Sequence, residues 1–249
     1  MNKKSKATKL QQIYYLSKQQ LSIEFQSRDR LLSPLLFSIT ILLLFTFSFG
    51  EFDKSQLAQF FTAEVFLAIF LSLQLILMRS FDSDQEDGAL DLIRSYPIWP
   101  ASVFLAKLIT VSILCIMIAI PTILLGCLLL AVPNPIAFFT PILGIVLLLI
   151  FGLVPLGLLL AAVVIHAQAR QIIYPLLYYP LCTPALLAGV QSSLLYLENR
   201  KFTDTLWNWL GLLLAFDIIY LTLGILLFIE LFSTQNIETV SQESSENKV

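Results

Sequence analysis

The chain has 249 residues, 57% of them hydrophobic and only 13% charged, with a formal net charge of −2 and a mean hydropathy of +0.83. A soluble domain carries about 25% charged residues, and a globule of this composition has too little polar surface to face water. The charges crowd into residues 1–30, 79–107 and 198–249 and leave long uncharged runs between them, which excludes a soluble globule and predicts an all-α, polytopic membrane protein.

The first thirty residues are polar and basic, so no cleaved signal peptide is expected. Within them, Leu10–Arg30 predicts an amphipathic helix. Leu10, Tyr14, Leu21 and Phe25 fall near one face, and Lys18, Gln19, Gln26 and Arg28 fall on others. Such a helix lies in the headgroup layer and leads into the first span. Glu24, Arg28 and Arg30 are its candidate functional residues; the alternative is a basic leader that only fixes topology.

Six spans follow, at about 31–50, 60–78, 103–132, 136–165, 172–191 and 210–232. Four match the roughly twenty residues of a single crossing. The third and fourth approach thirty residues, so they tilt, bend or run along the interface, with Pro121 and Pro155 as kink points. VPNPIA (residues 132–137) predicts a tight hairpin between them. Of the fifteen Lys and Arg residues, all but Lys54, Arg200 and Lys201 fall on the side of the N-terminus, which predicts cytoplasmic N- and C-termini. The segment after residue 232 is Ser/Glu-rich, and its composition predicts disorder.

Between the second and third spans the apolar pattern breaks at RSFDSDQEDGALDLIRSYPIWPAS (residues 79–102). Asp82, Asp84, Glu86, Asp87 and Asp91 suit a helix start, where the dipole and free N–H groups favour acids. Ala89, Leu90, Leu92 and Ile93 supply an apolar face, and Pro97 and Pro100 turn the chain back to the membrane. Asp82, Asp84, Gln85, Glu86, Asp87, Gly88, Leu90, Asp91 and Pro97 are the candidate elbow residues. Two readings fit them: a solvated loop with capping acids, or a coupling helix that sits in a groove of an ATPase subunit.

Other candidates are sparse. Asp217 lies deep in the sixth span, where a carboxylate must face protein, pair or stay protonated. It serves either a gating contact or a helix–helix hydrogen bond that only holds the fold. Pro175, Pro180 and Pro184 each remove a backbone donor, which predicts an irregular fifth span, either a gating or dimer-facing element or an inert kinked one. Tyr174, Tyr178 and Tyr179 give that span a polar edge. Glu64, near the outer end of the second span, is expected to reach water, and His166, the only histidine, is expected in a solvated loop. Trp99, Trp207 and Trp209 read as interfacial anchors. Cys115, Cys127 and Cys182 lie in apolar runs and read as small buried hydrophobes. No glycine-rich phosphate loop occurs, so the chain is not expected to hydrolyse nucleotide itself, and neither a metal site, a bound cofactor nor nucleic-acid binding is expected.

Four segments taken in order resemble one family. FDSDQEDGALDLIRSYPIWPASVFLAKLI is similar to the elbow of cytochrome c maturation protein B, the heme exporter protein B (CcmB) family. EFQSRDRLLSPLLFSITILLLFTFSFG resembles its first span, IYPLLYYPLCTPALLAG its proline-rich fifth span, and WLGLLLAFDIIYLTLGILLFIELF its last, with the AFD triplet. Departures are the Lys-rich first twenty residues, the Ser/Glu tail, and Asp91 where the family has Glu. The resemblance implies an ABC-2-like exporter fold in the bacterial inner membrane. It further implies two copies of this subunit with a separate ATPase (cytochrome c maturation protein A), alongside proteins C and D and the heme chaperone, protein E. ATP would bind the partner, heme would be the substrate of the complex, and hydrolysis would release heme-loaded chaperone. The rival readings are an ABC-2 permease for a lipid, polysaccharide or drug, and a membrane scaffold without a transport cycle.

Overall fold

The computed structural model describes residues 9–26, 28–49, 56–82, 99–132, 134–165 and 167–246, the side chains of 28–30, 49 and 231–246 excepted. Among these residues all regular structure is helical: α1 (Lys9–Gln26), α2 (Arg28–Phe49), α3 (Leu57–Met78), α4 (Pro100–Leu129), α5 (Pro135–Val164), α6 (Arg170–Asn199) and α7 (Asp204–Glu246). Six helices, α2 to α7, are long and apolar enough to cross a membrane. The chain is therefore a multi-pass, all-α integral membrane protein, as its composition predicts.

Local chemistry sets several boundaries. Trp99 is extended (φ −70°, ψ 122°) ahead of Pro100 at the first turn of α4, the backbone that a following proline imposes. Pro135 starts α5 in the same way. The α4–α5 hairpin closes as the hydropathy predicts. The Val132 N–H donates to the Cys127 carbonyl at 3.1 Å and the Ala131 N–H to that of Leu128 at 3.2 Å, a Schellman pair centred on Ala131 at φ 46°. At 30 residues each, α4 and α5 are about 45 Å long and overrun a hydrocarbon core of about 30 Å.

Three expectations are corrected. First, α6 is one uninterrupted helix through Pro175, Pro180 and Pro184. Pro180 and Pro184 lie on its exposed face and Pro175 is half-buried, so their rings avoid the packed side, where Tyr174, Tyr178, Cys182 and Ala185 are buried. Second, Tyr174 and Tyr178 are fully buried rather than a polar edge; only Tyr179 is exposed. Third, α7 continues past residue 232 to Glu246. The stretch 233–246 contains no Pro or Gly, so nothing in it stops a helix already propagating from a span.

The helices α3, α4 and α5 form the centre. α3 packs on α2, α4, α5 and α6, and α5 on α3, α4, α6 and α7. The outer helices α2, α6 and α7 turn large apolar side chains such as Phe47, Leu176 and Ile218 outward, the side that meets lipid. In lipid, helix association rests on close packing rather than on a hydrophobic drive. Gly126 of α4 meets this demand, since a Cβ there would lie 2.6 Å from Val65 Cγ2 on α3.

The N-terminal helix α1 packs on α4 with a polar stripe. The Ser102 hydroxyl reaches Gln12 Oε1 at 3.5 Å, the Thr110 hydroxyl, which donates to the Ala106 carbonyl of its own helix at 3.0 Å, lies 3.4 Å from the Ser17 carbonyl, and Glu24 is buried. Leu10, Tyr14, Ile23 and Phe25 point away from the bundle. The helix thus turns several large apolar side chains outward, while Leu16 packs on the core beside the polar contacts.

Candidate functional site

The elbow joins α3 to α4. Of its candidate residues, Asp82 is described; Asp84, Gln85, Glu86, Asp87, Gly88, Leu90, Asp91 and Pro97 lie outside the described residues, as does His166. Arg28 and Arg30 begin α2, and their side chains also fall outside the description. What the structure shows is how the two ends of the elbow are held.

At the first end the chain turns after Met78. The Asp82 N–H donates to the Arg79 carbonyl at 3.1 Å. Asp82 Oδ1 then pairs with Arg170 Nη1 at 3.1 Å, with the two side chains about one quarter and one third exposed. Arg170 is the first residue of α6, so this pair ties the elbow directly to the proline-rich span. One residue earlier, Phe81 is buried. Its ring stacks with Phe228 of α7 at 6.5 Å, and Lys107 Nζ of α4 lies 5.1 Å from its centroid. Phe228 in turn packs on Phe104 of α4 at 5.3 Å. Phe81 is a wedge shared by α3, α4 and α7.

At the second end, Lys9 Nζ of α1 sits 4.4 Å over the Trp99 ring. This cation–π contact gives Trp99 a partner beyond interfacial anchoring. Glu24 lines a groove with Ser33, Pro34, Arg79 and Ser80, which joins α1 to the same turn of α3. The two described ends of the elbow are thus held by α1, α4, α6 and α7. Sequence reading missed Arg170, Phe81, Lys107 and Lys9. Each is an unremarkable residue in isolation, and its partner is remote in sequence.

Of the remaining candidates, Tyr174 reaches this end, lining a small cavity with Asp82 and Arg170; Asp217 and Glu64 do not. Asp217 lies at the middle of the sixth span, Asp204–Glu230, against Gly152 of α5, where a Cβ would collide with its Oδ1. That oxygen is buried and has no hydrogen-bond partner among the described residues. Glu64 does not reach water: it is 2% exposed and accepts a hydrogen bond from the Thr46 hydroxyl of α2 at 2.9 Å. It lies a turn or two inside α3, and α2 covers it. The Tyr179 hydroxyl donates to Gln74 Oε1 of α3 at 2.6 Å, while Tyr174 and Tyr178 stack at 5.4 Å and Tyr178 stacks on Phe70 at 5.9 Å. The three cysteines are buried and free, as their apolar settings predict. Among the described residues no group of three or more His, Cys, Asp or Glu is placed to hold a metal ion.

A sequence profile described as CcmB protein matches residues 11–229, from the start of α1 to the last turn of the sixth span. The chain belongs to the CcmB family. No curated protein matches the chain. The CcmB profile covers the bracketed elbow, Asp217 and the proline-rich α6 within one continuous match. Membership makes the chain the membrane component of a heme exporter in c-type cytochrome biogenesis, a multi-pass permease-type protein.

Proposed function

We propose that this CcmB chain is the permease subunit of an ABC-type complex in the bacterial inner membrane, with both termini in the cytoplasm. Two copies pair with a separate ATPase, cytochrome c maturation protein A. Proteins C and D and heme chaperone E complete the machinery, and ATP hydrolysis on the ATPase releases heme-loaded chaperone. The elbow receives the ATPase. Its ends transmit the stroke, the Asp82–Arg170 pair to α6 and the Phe81 wedge to α4 and α7.

The observation that carries this reading is the family match over residues 11–229, which contains an elbow bracketed by four helices. A tie of this kind suits a part that passes on force better than it suits a solvated loop. Heme ligation by this chain is not required: the role assigned to it is mechanical, and ATP stays on the partner.

The test is affinity purification of the tagged full chain from mild detergent. Recovery of a nucleotide-binding ATPase together with heme-handling membrane proteins supports the reading. An ATPase without heme-handling partners moves the assignment to a permease for another substrate, and no ATPase at all moves it to a scaffold.

A further inference from the structure

At the end of the bundle opposite the elbow, α5, α6 and α7 do not close on one another. They leave a cleft of about 320 Å³, inside the range of about 300–1,000 Å³ typical of small-molecule sites. Pro141, Gly144 and Leu148 of α5, Tyr196 of α6, and Phe202 and Leu210 around the start of α7 line it. Gly144 is exposed, and a Cβ built on it meets nothing within 4 Å. Gly144 thus leaves the α5 wall of the cleft open. Between Pro141 and Leu148 the cleft runs from roughly 9 to 20 Å below the start of α5, at about 1.5 Å per residue. That stretch of about 11 Å fits within one leaflet, half of a hydrocarbon core about 30 Å thick.

Above the cleft stand two bases, Arg200 and Lys201, with the acids Glu198 and Asp204 close by in the chain. Arg200 caps α6 at φ 55°, a left-handed conformation unfavourable for a non-glycine residue. It is held there by its own side chain: Nη1 donates to the Ala137 carbonyl at 3.2 Å, and the guanidinium lies 4.6 Å over Phe138. Ala137 and Phe138 stand one turn above Pro141. Arg200 is exposed, and its fork has five N–H donors, of which the contact to Ala137 uses one nitrogen. Lys201 follows it. Phe202 packs between Tyr196 at 5.4 Å and Trp207 at 5.7 Å, an aromatic set suited to the interface.

We propose that this cleft binds one acyl chain of an anionic phospholipid, with the headgroup phosphate held at Arg200 and Lys201. An apolar slot within one leaflet under a fixed guanidinium matches a chain below a phosphodiester. The proposal does not depend on heme handling, because it concerns a different end of the bundle from the elbow.

The test uses the full chain, delipidated in detergent and titrated with phosphatidylglycerol or phosphatidylcholine of matched chains, read by native mass spectrometry. The expected result is one phosphatidylglycerol retained at about ten-fold lower lipid concentration than phosphatidylcholine. Gly144→Phe, which fills the cleft, should abolish the retained lipid while leaving the melting temperature near the parent value. Arg200→Gln with Lys201→Gln should erase the preference between the two lipids while one chain still binds. Undiminished phosphatidylglycerol retention by the filled variant overturns the proposal. If that variant does not fold, an unchanged lipid preference in the Arg200/Lys201 variant overturns it instead. Displacement of the retained lipid by one equivalent of hemin would also overturn it, assigning the cleft to heme.

Discussion

The Asp82–Arg170 pair offers the sharpest test of how the elbow works. At 3.1 Å two unit charges attract by about 5 kcal/mol at an effective dielectric constant of 20, and by about 1.3 kcal/mol in water. The side chains are one quarter and one third exposed, so screening and side-chain entropy reduce the net worth to about 1–2 kcal/mol, just above the range of fully exposed pairs. A change of that size moves a two-state equilibrium by a factor of about 5–30. Asp82→Arg and Arg170→Asp each place like charges together, and each should lower c-type cytochrome assembly at least about five-fold. The exchanged pair, Asp82→Arg with Arg170→Asp, rebuilds the contact in reverse and should return assembly to within about two-fold of the parent, a coupling visible in a double-mutant cycle. The assay is heme staining of c-type cytochromes in membranes, at matched levels of the chain by immunoblot. An exchanged pair no better than the worse single variant would refute transmission through this contact.

Three further outcomes are expected. Replacing Asp87 and Gly88 together by Ala should release the ATPase from membranes, scored by co-sedimentation, and retention at normal levels counts against the elbow as its dock. Gly126→Ala should destabilise the bundle by about 1–3 kcal/mol through overpacking against Val65, whereas Gly211→Ala, with nothing within 4 Å of the new Cβ, should be neutral or stabilising by up to about 1 kcal/mol; thermal melting in detergent separates them. Thr46→Val should cost about 1–3 kcal/mol because it strips Glu64 of its donor inside the bundle, and a melting temperature equal to the parent's would show that this hydrogen bond is not formed.

The six spans were legible because uncharged apolar runs of twenty to thirty residues admit few other readings. Their ends were less so. The fifth span extends to Asn199 and the sixth begins at Asp204, because helices continue into the interface on residues such as Glu198 and Trp207 that a hydropathy cut rejects. The proline count of α6 misled for a related reason: proline removes one donor wherever it stands, but the sequence does not show that Pro180 and Pro184 share the exposed face. The burial of Glu64 was hidden because depth along one helix says nothing about the neighbour that covers it. The elbow was visible from composition, while Arg170, its tie to α6, required two residues 88 positions apart to meet.

The polar stripe of α1 also dictates an order of events during synthesis. Its contacts with α4 span 90 and 93 positions of chain, so the helix leaves the ribosome long before its seat exists. Until α4 is inserted, only its end around Glu24 has a protein neighbour, at Ser33 and Pro34 of α2, and Leu10 and Tyr14 hold the rest against the bilayer surface. Its docking is therefore a late step, taken after the first three spans are in place, and a docked N-terminus reports that half of the bundle has been assembled.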